Sequence, residues 1–187
     1  MLIGVTGNIG AGKSTFCKFI KLEGFPVYSA DEIGKSVLFQ VKDEIVSLFG
    51  REILKETGEI DTSRLGRVVF SSRKKLELLT KLTHPLIKKE VLRIRESLSE
   101  KVGFLEAAVL IEAGWQEICD RIAVVFAYKG QRILRASKRF GMREALRRDS
   151  LQMPYSEKLK YADYLICNVT DLLKLKEQAT SLLRELR

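Results

Sequence analysis

One histidine, three cysteines, three prolines and one tryptophan are all that 187 residues hold of these types. Cys17, Cys119 and Cys167 are widely separated and form no Cys-x-x-Cys pair. With His84 the lone imidazole, this excludes a zinc site of ordinary ligand spacing and a disulfide framework. Sparse thiols suit a reducing cytoplasm. No apolar run approaches the roughly 18–20 residues that cross a bilayer. The first residues also lack the basic, apolar and cleavage regions of a secretory signal, so neither membrane insertion nor export is expected. Internal repeats, low-complexity tracts and Pro/Ser-rich linkers are missing too. One compact domain with excursions is therefore expected, rather than an array. Trp115, Tyr128 and the scattered phenylalanines do not interleave with basic residues as a stacking platform for single strands would. They read as core.

Charge, by contrast, is plentiful. Lys and Arg number 33 against 24 Asp and Glu, a formal net charge of +9. Such a balance suits a nucleic-acid surface, a pocket for a polyanionic small ligand such as a nucleotide, or solvated helix faces. Net charge does not choose among them.

Apolar β-rich runs at 2–6, 26–29, 102–106, 121–128 and 164–168 alternate with helical patterns. The helical patterns cover 13–22, 35–49, 64–70, 74–82, 85–100 and 171–187. Strands alternating with helices predict an α/β fold with a parallel five-stranded sheet flanked by helices. Two stretches exceed a minimal crossover: a helical one from Asp31 to about Leu98, and a strongly basic one from Lys129 to Lys160.

The chemistry begins where the first strand ends. Gly7-Asn8-Ile9-Gly10-Ala11-Gly12-Lys13-Ser14 is a full Gly-x-x-x-x-Gly-Lys-Ser/Thr match, after a strand and before a helix. Its glycines let backbone N–H groups turn toward phosphate oxygens, and the new helix adds its positive end. The loop from Gly10 through Ala11, Gly12 and Lys13 to Ser14 and Thr15 is thus a candidate nucleotide cradle. Lys13 is placed to reach the β- and γ-phosphates, and Ser14 to ligate Mg²⁺.

Asp31 follows the second strand, at the sheet edge where ligands bind in open α/β folds. It suits an acceptor-side base or a helix N-cap equally well. Glu106, at the end of the third strand, can reach a metal-bound water or substrate, or serve as a surface acid. Glu112 reads as structural or as part of a pocket rim. Arg132, Arg135, Arg139 and Arg143 follow offsets of three, seven and eleven, which line one face of an unbroken helix. Arg147 and Arg148 extend the charge. Beside a phosphate loop, such arginines suit a lid that stabilises the transferring group and excludes water. His84-Pro85 reads as a helix entry, with Pro85 at the first helical position.

Taken together, these segments resemble the dephospho-CoA kinase family over essentially the whole length. The likeness is carried by Gly4–Thr15, Ser29–Asp31 and Gly58–Asp61 with Leu65 and Val69-Phe70. It continues through His84–Ile87, Leu105–Gly114, Gln131–Arg135, Arg139 and Arg148. Gln152-Met153-Pro154, Lys158 and Ala162–Asn168 complete it. The resemblance implies a three-layer P-loop kinase core over 1–30, 99–128 and 161–187. A helical CoA-binding excursion over about 31–98 and a lid over about 129–160 would complete the domain. The implied reaction moves the γ-phosphoryl of ATP, with Mg²⁺, to the ribose 3′-hydroxyl of dephospho-CoA. Lys13, Asp31 and Arg139 would be catalytic, with Asp31 as base. Arg135 and Arg148 would assist at the phosphates, and Asn168 would lie near adenine. His84, Glu106 and Glu112 would shape the acceptor site. Ser29 stands where the family commonly has aspartate, Ala108 where it has proline and Thr62 where arginine is frequent. The alternatives are another small-molecule kinase, for a nucleoside or nucleotide, or a nucleic-acid-associated P-loop ATPase. No membrane or nucleic-acid partner is expected, and monomer and homo-oligomer both stay open.

Overall fold

The computed structural model describes residues 1–186. In chain order the elements are β1 (Leu2–Thr6), α1 (Lys13–Leu22), β2 (Val27–Ser29), α2 (Ala30–Gln40), α3 (Lys42–Phe49), α4 (Thr62–Val69) and α5 (Arg73–Ser97). There follow β3 (Gly103–Glu106), β4 (Arg121–Phe126), α6 (Lys129–Phe140), α7 (Met142–Ser150), α8 (Tyr155–Lys158), β5 (Tyr164–Cys167) and α9 (Leu172–Glu185). Single 3₁₀ turns occupy Arg51–Ile53, Trp115–Ile118 and Leu159–Tyr161. The chain divides into two compact units, residues 1–29 with 94–187 and residues 30–93.

In the first unit the five strands form one parallel sheet in the order β2-β3-β1-β4-β5. Every residue of β1 is buried, as expected of a central parallel strand with both faces covered. Ile3 and Val5 face a core shared with Phe16, Cys17 and Ile20 of α1 and Leu175, Ala179, Leu182 and Leu183 of α9. Those helical positions recur at three- and four-residue spacings, so each helix presents one apolar stripe. Each large side chain buried there contributes about 1.5–3 kcal/mol. On the opposite face a Cβ at Gly4 would come within 2.6 Å of Leu110 and 2.9 Å of the Cys119 sulfur, so glycine permits the close approach. Asp171 caps α9, accepting from the Lys174 N–H at 2.9 Å.

Register decides which residues share the sheet's carboxyl edge. Glu106 pairs with Val5 on one side and Ser29 on the other, and Thr6 pairs with Val124. Glu106 therefore flanks the point where β1 passes into the glycine-rich loop.

The second unit is helical. Asp61 caps α4, accepting from Ser63 N–H at 2.8 Å and Arg64 N–H at 3.0 Å, and those bonds hold its carboxyl below the usual range. Two expectations are corrected. The stretch 35–49 is two helices, broken at Val41, whose φ of −108° and ψ of 31° leave the helical region. No glycine or proline marks that break. Conversely, 74–82 and 85–100 are one helix with Pro85 inside it, not at its start. Thr83, Ile87 and Val91 fall four residues apart on a buried stripe that runs past the proline. Burial of that stripe outweighs the ~3 kcal/mol cost of an interior proline. Arg187, with which the expected last helix ends, lies outside the described residues.

Candidate active site

The loop between β1 and α1 folds over its own backbone. Lys13 extends its ammonium back to the Gly7 carbonyl at 2.9 Å and the Asn8 carbonyl at 3.4 Å. Gly12, the residue before α1, is left-handed (φ 98°, ψ 20°) and gives the helix no side-chain cap. The first N–H groups of α1 lack intrahelical acceptors by geometry, which makes this end a natural anion site. A Cβ at Gly10 would collide with the Arg132 carbonyl, and one at Gly12 with the Asn168 amide. Glycine is therefore required twice, for the left-handed backbone and for the close neighbours.

Around the loop the candidate residues separate into two groups. Ser14 donates its hydroxyl to Glu106 Oε1 at 2.6 Å, so the first turn of α1 and the end of β3 present two hard oxygens side by side. Oxygens of this kind hold Mg²⁺ together with phosphates and water. Among the described residues no group of three or more His, Cys, Asp or Glu converges as an all-protein cage. The second group is centred on Asn168. Its side-chain amide donates to the Ala11 carbonyl at 2.8 Å, and its own carbonyl accepts both terminal nitrogens of Arg135 at 3.2 Å. Gln131 adds a bond to the Val169 carbonyl at 3.0 Å. The segment after β5 is thus tied to both the glycine-rich loop and α6.

The arginines do not share one face. Gly141, with φ 79°, ends α6 after Phe140 and moves Arg143 onto α7. Arg132 turns inward, 4% exposed, and pairs with Asp149 at 2.5 Å. Arg139 and Arg148 stand over the Phe140 ring, at 4.9 and 4.2 Å from its centre. Glu144 accepts two hydrogen bonds from Arg147 and one from Arg148, and these bring its carboxyl down to about 2.

Glu112 is engaged by a buried lysine. Lys158, fully buried, lies 2.9 Å from Glu112 Oε1 and donates to Glu112 Oε2 at 3.1 Å and to the Ala108 carbonyl at 2.8 Å. Glu112 also accepts the Met153 N–H at 2.9 Å. Burial pushes the Lys158 ammonium below its ordinary range, while Glu112 pulls it back up. Reading charge patterns missed Lys158 as a buried group. Its signal was its place after Gln-Met-Pro, which mattered only through the family likeness.

Within the helical unit, Asp31 lies exposed in the first turn of α2. His84 is half-buried inside α5, and burial lowers its imidazole. A cavity of about 560 Å³ is lined by Lys35, Lys42, Leu38, Phe39 and Asp61, and by Lys55 and Glu59, which pair at 3.1 Å. That volume and mixture suit an organic anion.

Comparison with known proteins decides among the readings. The profile of the dephospho-CoA kinase family matches residues 1–174. The chain belongs to the dephospho-CoA kinase family. An Aquifex aeolicus dephospho-CoA kinase is 40% identical over 98% of this chain and 96% of its own. One from Carboxydothermus hydrogenoformans is 35% identical over 98% and 93%. The dephospho-CoA kinase of Campylobacter jejuni, of known structure, superposes with a TM-score of 0.76 at 28% identity, covering 99% and 96%. Shikimate kinase from Aquifex aeolicus, at 16% identity and TM-score 0.52, shares the fold alone. The protein is therefore a kinase with the expected parallel P-loop fold, and a nucleic-acid-associated ATPase is not favoured. Among the described residues no helix is long and apolar enough to cross a membrane.

Proposed function

We propose that this chain transfers the γ-phosphoryl group of ATP to the ribose 3′-hydroxyl of dephospho-CoA, the final step of coenzyme A formation. The observation that carries the reading is the loop Gly10–Thr15, with Ser14 2.6 Å from Glu106, in a chain matched by the family profile over 1–174. Backbone N–H groups of the loop and the Lys13 ammonium hold the β- and γ-phosphates. Mg²⁺, when bound, neutralises charge on those phosphates, and Ser14 with Glu106 would hold it. Asp31 accepts the proton of the attacking hydroxyl. Arg139, with Arg135 and Arg148, stabilises charge on the transferring group and shields it from water. Asn168 borders the adenine end.

The helical unit takes the acceptor, with His84 contributing to its pocket. Support comes from the cavity, whose Lys35 and Lys42 suit the acceptor's diphosphate and whose Leu38 and Phe39 suit its apolar parts, while Lys55 is paired with Glu59. Glu112 acts at this site through the segment it braces. Free cysteines support a cytoplasmic setting.

The test is ADP release with ATP and Mg²⁺ across dephospho-CoA, adenosine, common nucleotides, shikimate and pantothenate. Selective turnover of dephospho-CoA is expected. Selective turnover of a nucleoside or nucleotide would replace this acceptor with that one.

A further inference from the structure

The basic segment between β4 and β5 does more than carry arginines: it grips the first half of the glycine-rich loop. Asn8 N–H donates to the Tyr155 hydroxyl at 3.2 Å, and Ile9 N–H donates to Gln152 Oε1 at 2.7 Å. The Asn8 side-chain amide donates to the Met153 carbonyl at 3.2 Å. From the other side, Arg132 donates to the Ile9 carbonyl at 3.3 Å. Two consecutive loop residues, outside any helix or strand, are thus fixed by four bonds from residues 132–155.

We propose that Gln152, Tyr155 and Arg132 are positioning residues that preform the phosphate cradle before ATP arrives. The inference rests on reading Gly7–Thr15 as that cradle.

The chemistry of each group supports a holding role over a ligand-binding one. The single proton of the Tyr155 hydroxyl goes to the Val125 carbonyl of β4 at 2.7 Å, leaving a lone pair for Asn8. Tyr155 therefore bridges the sheet and the loop. Its ring is packed edge-on against Phe126 at 5.0 Å and lies under the Arg132 guanidinium at 5.2 Å. Arg132 is neutralised by Asp149 and also donates to the Ala127 carbonyl at 3.1 Å. Its charge is thus paired internally, unlike the exposed Arg139.

Asn8 is only 4% exposed, so water cannot readily replace a lost partner. A glycine-rich loop left free would have to be ordered by the ligand, at about 1–2 kcal/mol for each residue fixed. Holding Asn8 and Ile9 removes that cost from binding. It also aims the N–H groups that follow, because Gly10 is pressed against the backbone of Arg132 itself. Loosening the clamp therefore weakens the hold on phosphates and leaves recognition of the nucleoside unchanged.

The test uses Tyr155→Phe and Gln152→Met, each close in shape and each removing the atom that faces the loop. ADP and adenosine are titrated separately onto the intact protein by calorimetry. The expected result is ADP binding weaker by about 5- to 30-fold, the scale of one or two lost buried bonds, with adenosine within about twofold. ADP affinity within twofold of the parent, or equal losses for ADP and adenosine, would overturn the inference. Hydrogen exchange on the unsubstituted, ligand-free protein gives a reading that survives misfolding of either variant. Slow exchange of the Asn8 and Ile9 amides is expected, and exchange at the free-chain rate would overturn the preformed clamp. No acceptor enters these measurements, so an error in the dephospho-CoA assignment would show in the turnover assay and leave them unaffected.

Discussion

Ser14 and Glu106, 92 residues apart in the chain, meet through a 2.6 Å hydrogen bond from hydroxyl to carboxylate. That bond joins the first turn of α1 to the carboxyl end of β3, where a metal bound to the phosphates would need oxygen ligands. Glu106→Gln keeps an acceptor for Ser14 and removes the negative charge. The Mg²⁺ concentration for half-maximal turnover should rise by about 10- to 100-fold, the usual effect of losing a group that supports a metal site. Kinetics across a Mg²⁺ series would show it. An unchanged requirement would leave Glu106 as no more than a partner for Ser14.

Asp31→Asn removes the carboxylate proposed as the proton acceptor from the start of α2. Turnover should fall by about 10²- to 10⁴-fold, the range for a positioned acid–base group. ATP affinity, measured by direct titration, should stay close to that of the parent. Parental turnover would remove Asp31 from the mechanism.

Arg139→Lys keeps the charge but loses the planar fork and its stacking on Phe140. Turnover should stay close to that of Arg139→Ala. Full activity in the lysine variant would assign Arg139 to the solvated surface.

Glu112→Gln would leave the buried Lys158 ammonium without its counter-charge. Stability to urea should drop by about 3–5 kcal/mol at neutral pH. Burial holds the folded Lys158 below its ordinary 10.5, so the unfolded chain binds more protons in the window just beneath that value. Stability from this group therefore increases as pH rises through the window. Without Glu112 the ammonium is disfavoured further and the window opens at lower pH. The variant's deficit should accordingly shrink between neutral pH and about pH 9.5. A deficit independent of pH would mean that Lys158 keeps its proton throughout.

The phosphate loop was legible because its determinants are local. A buried strand, glycines at fixed spacing and an amphipathic helix are all contained in 22 consecutive residues, and β1 and α1 have the expected bounds. What escaped depends on partners far along the chain. Arg132 falls on the charged face by helical spacing, yet Asp149 and the Ile9 carbonyl draw it inside. Lys158 is polar and unremarkable until Glu112, 46 residues earlier, is folded against it. Pro85 is a local signal that misled, because a buried stripe carries α5 through it.

The strand order also sets a schedule. β1 lies between β3 and β4, with Leu2 opposite Gly103 and Ile3 opposite Arg121, so both of its neighbours follow the whole helical unit. Pairing across such separations is slow, whereas contacts among successive helices close early. A nascent chain that ends before Gly103 already contains the entire phosphate-binding motif but neither strand that supports it. Until residues 152–155 emerge, three of the four bonds that clamp Asn8 and Ile9 cannot form. The glycine-rich loop is thus synthesised early and takes shape late, and it leaves the ribosome long before it can grip a nucleotide.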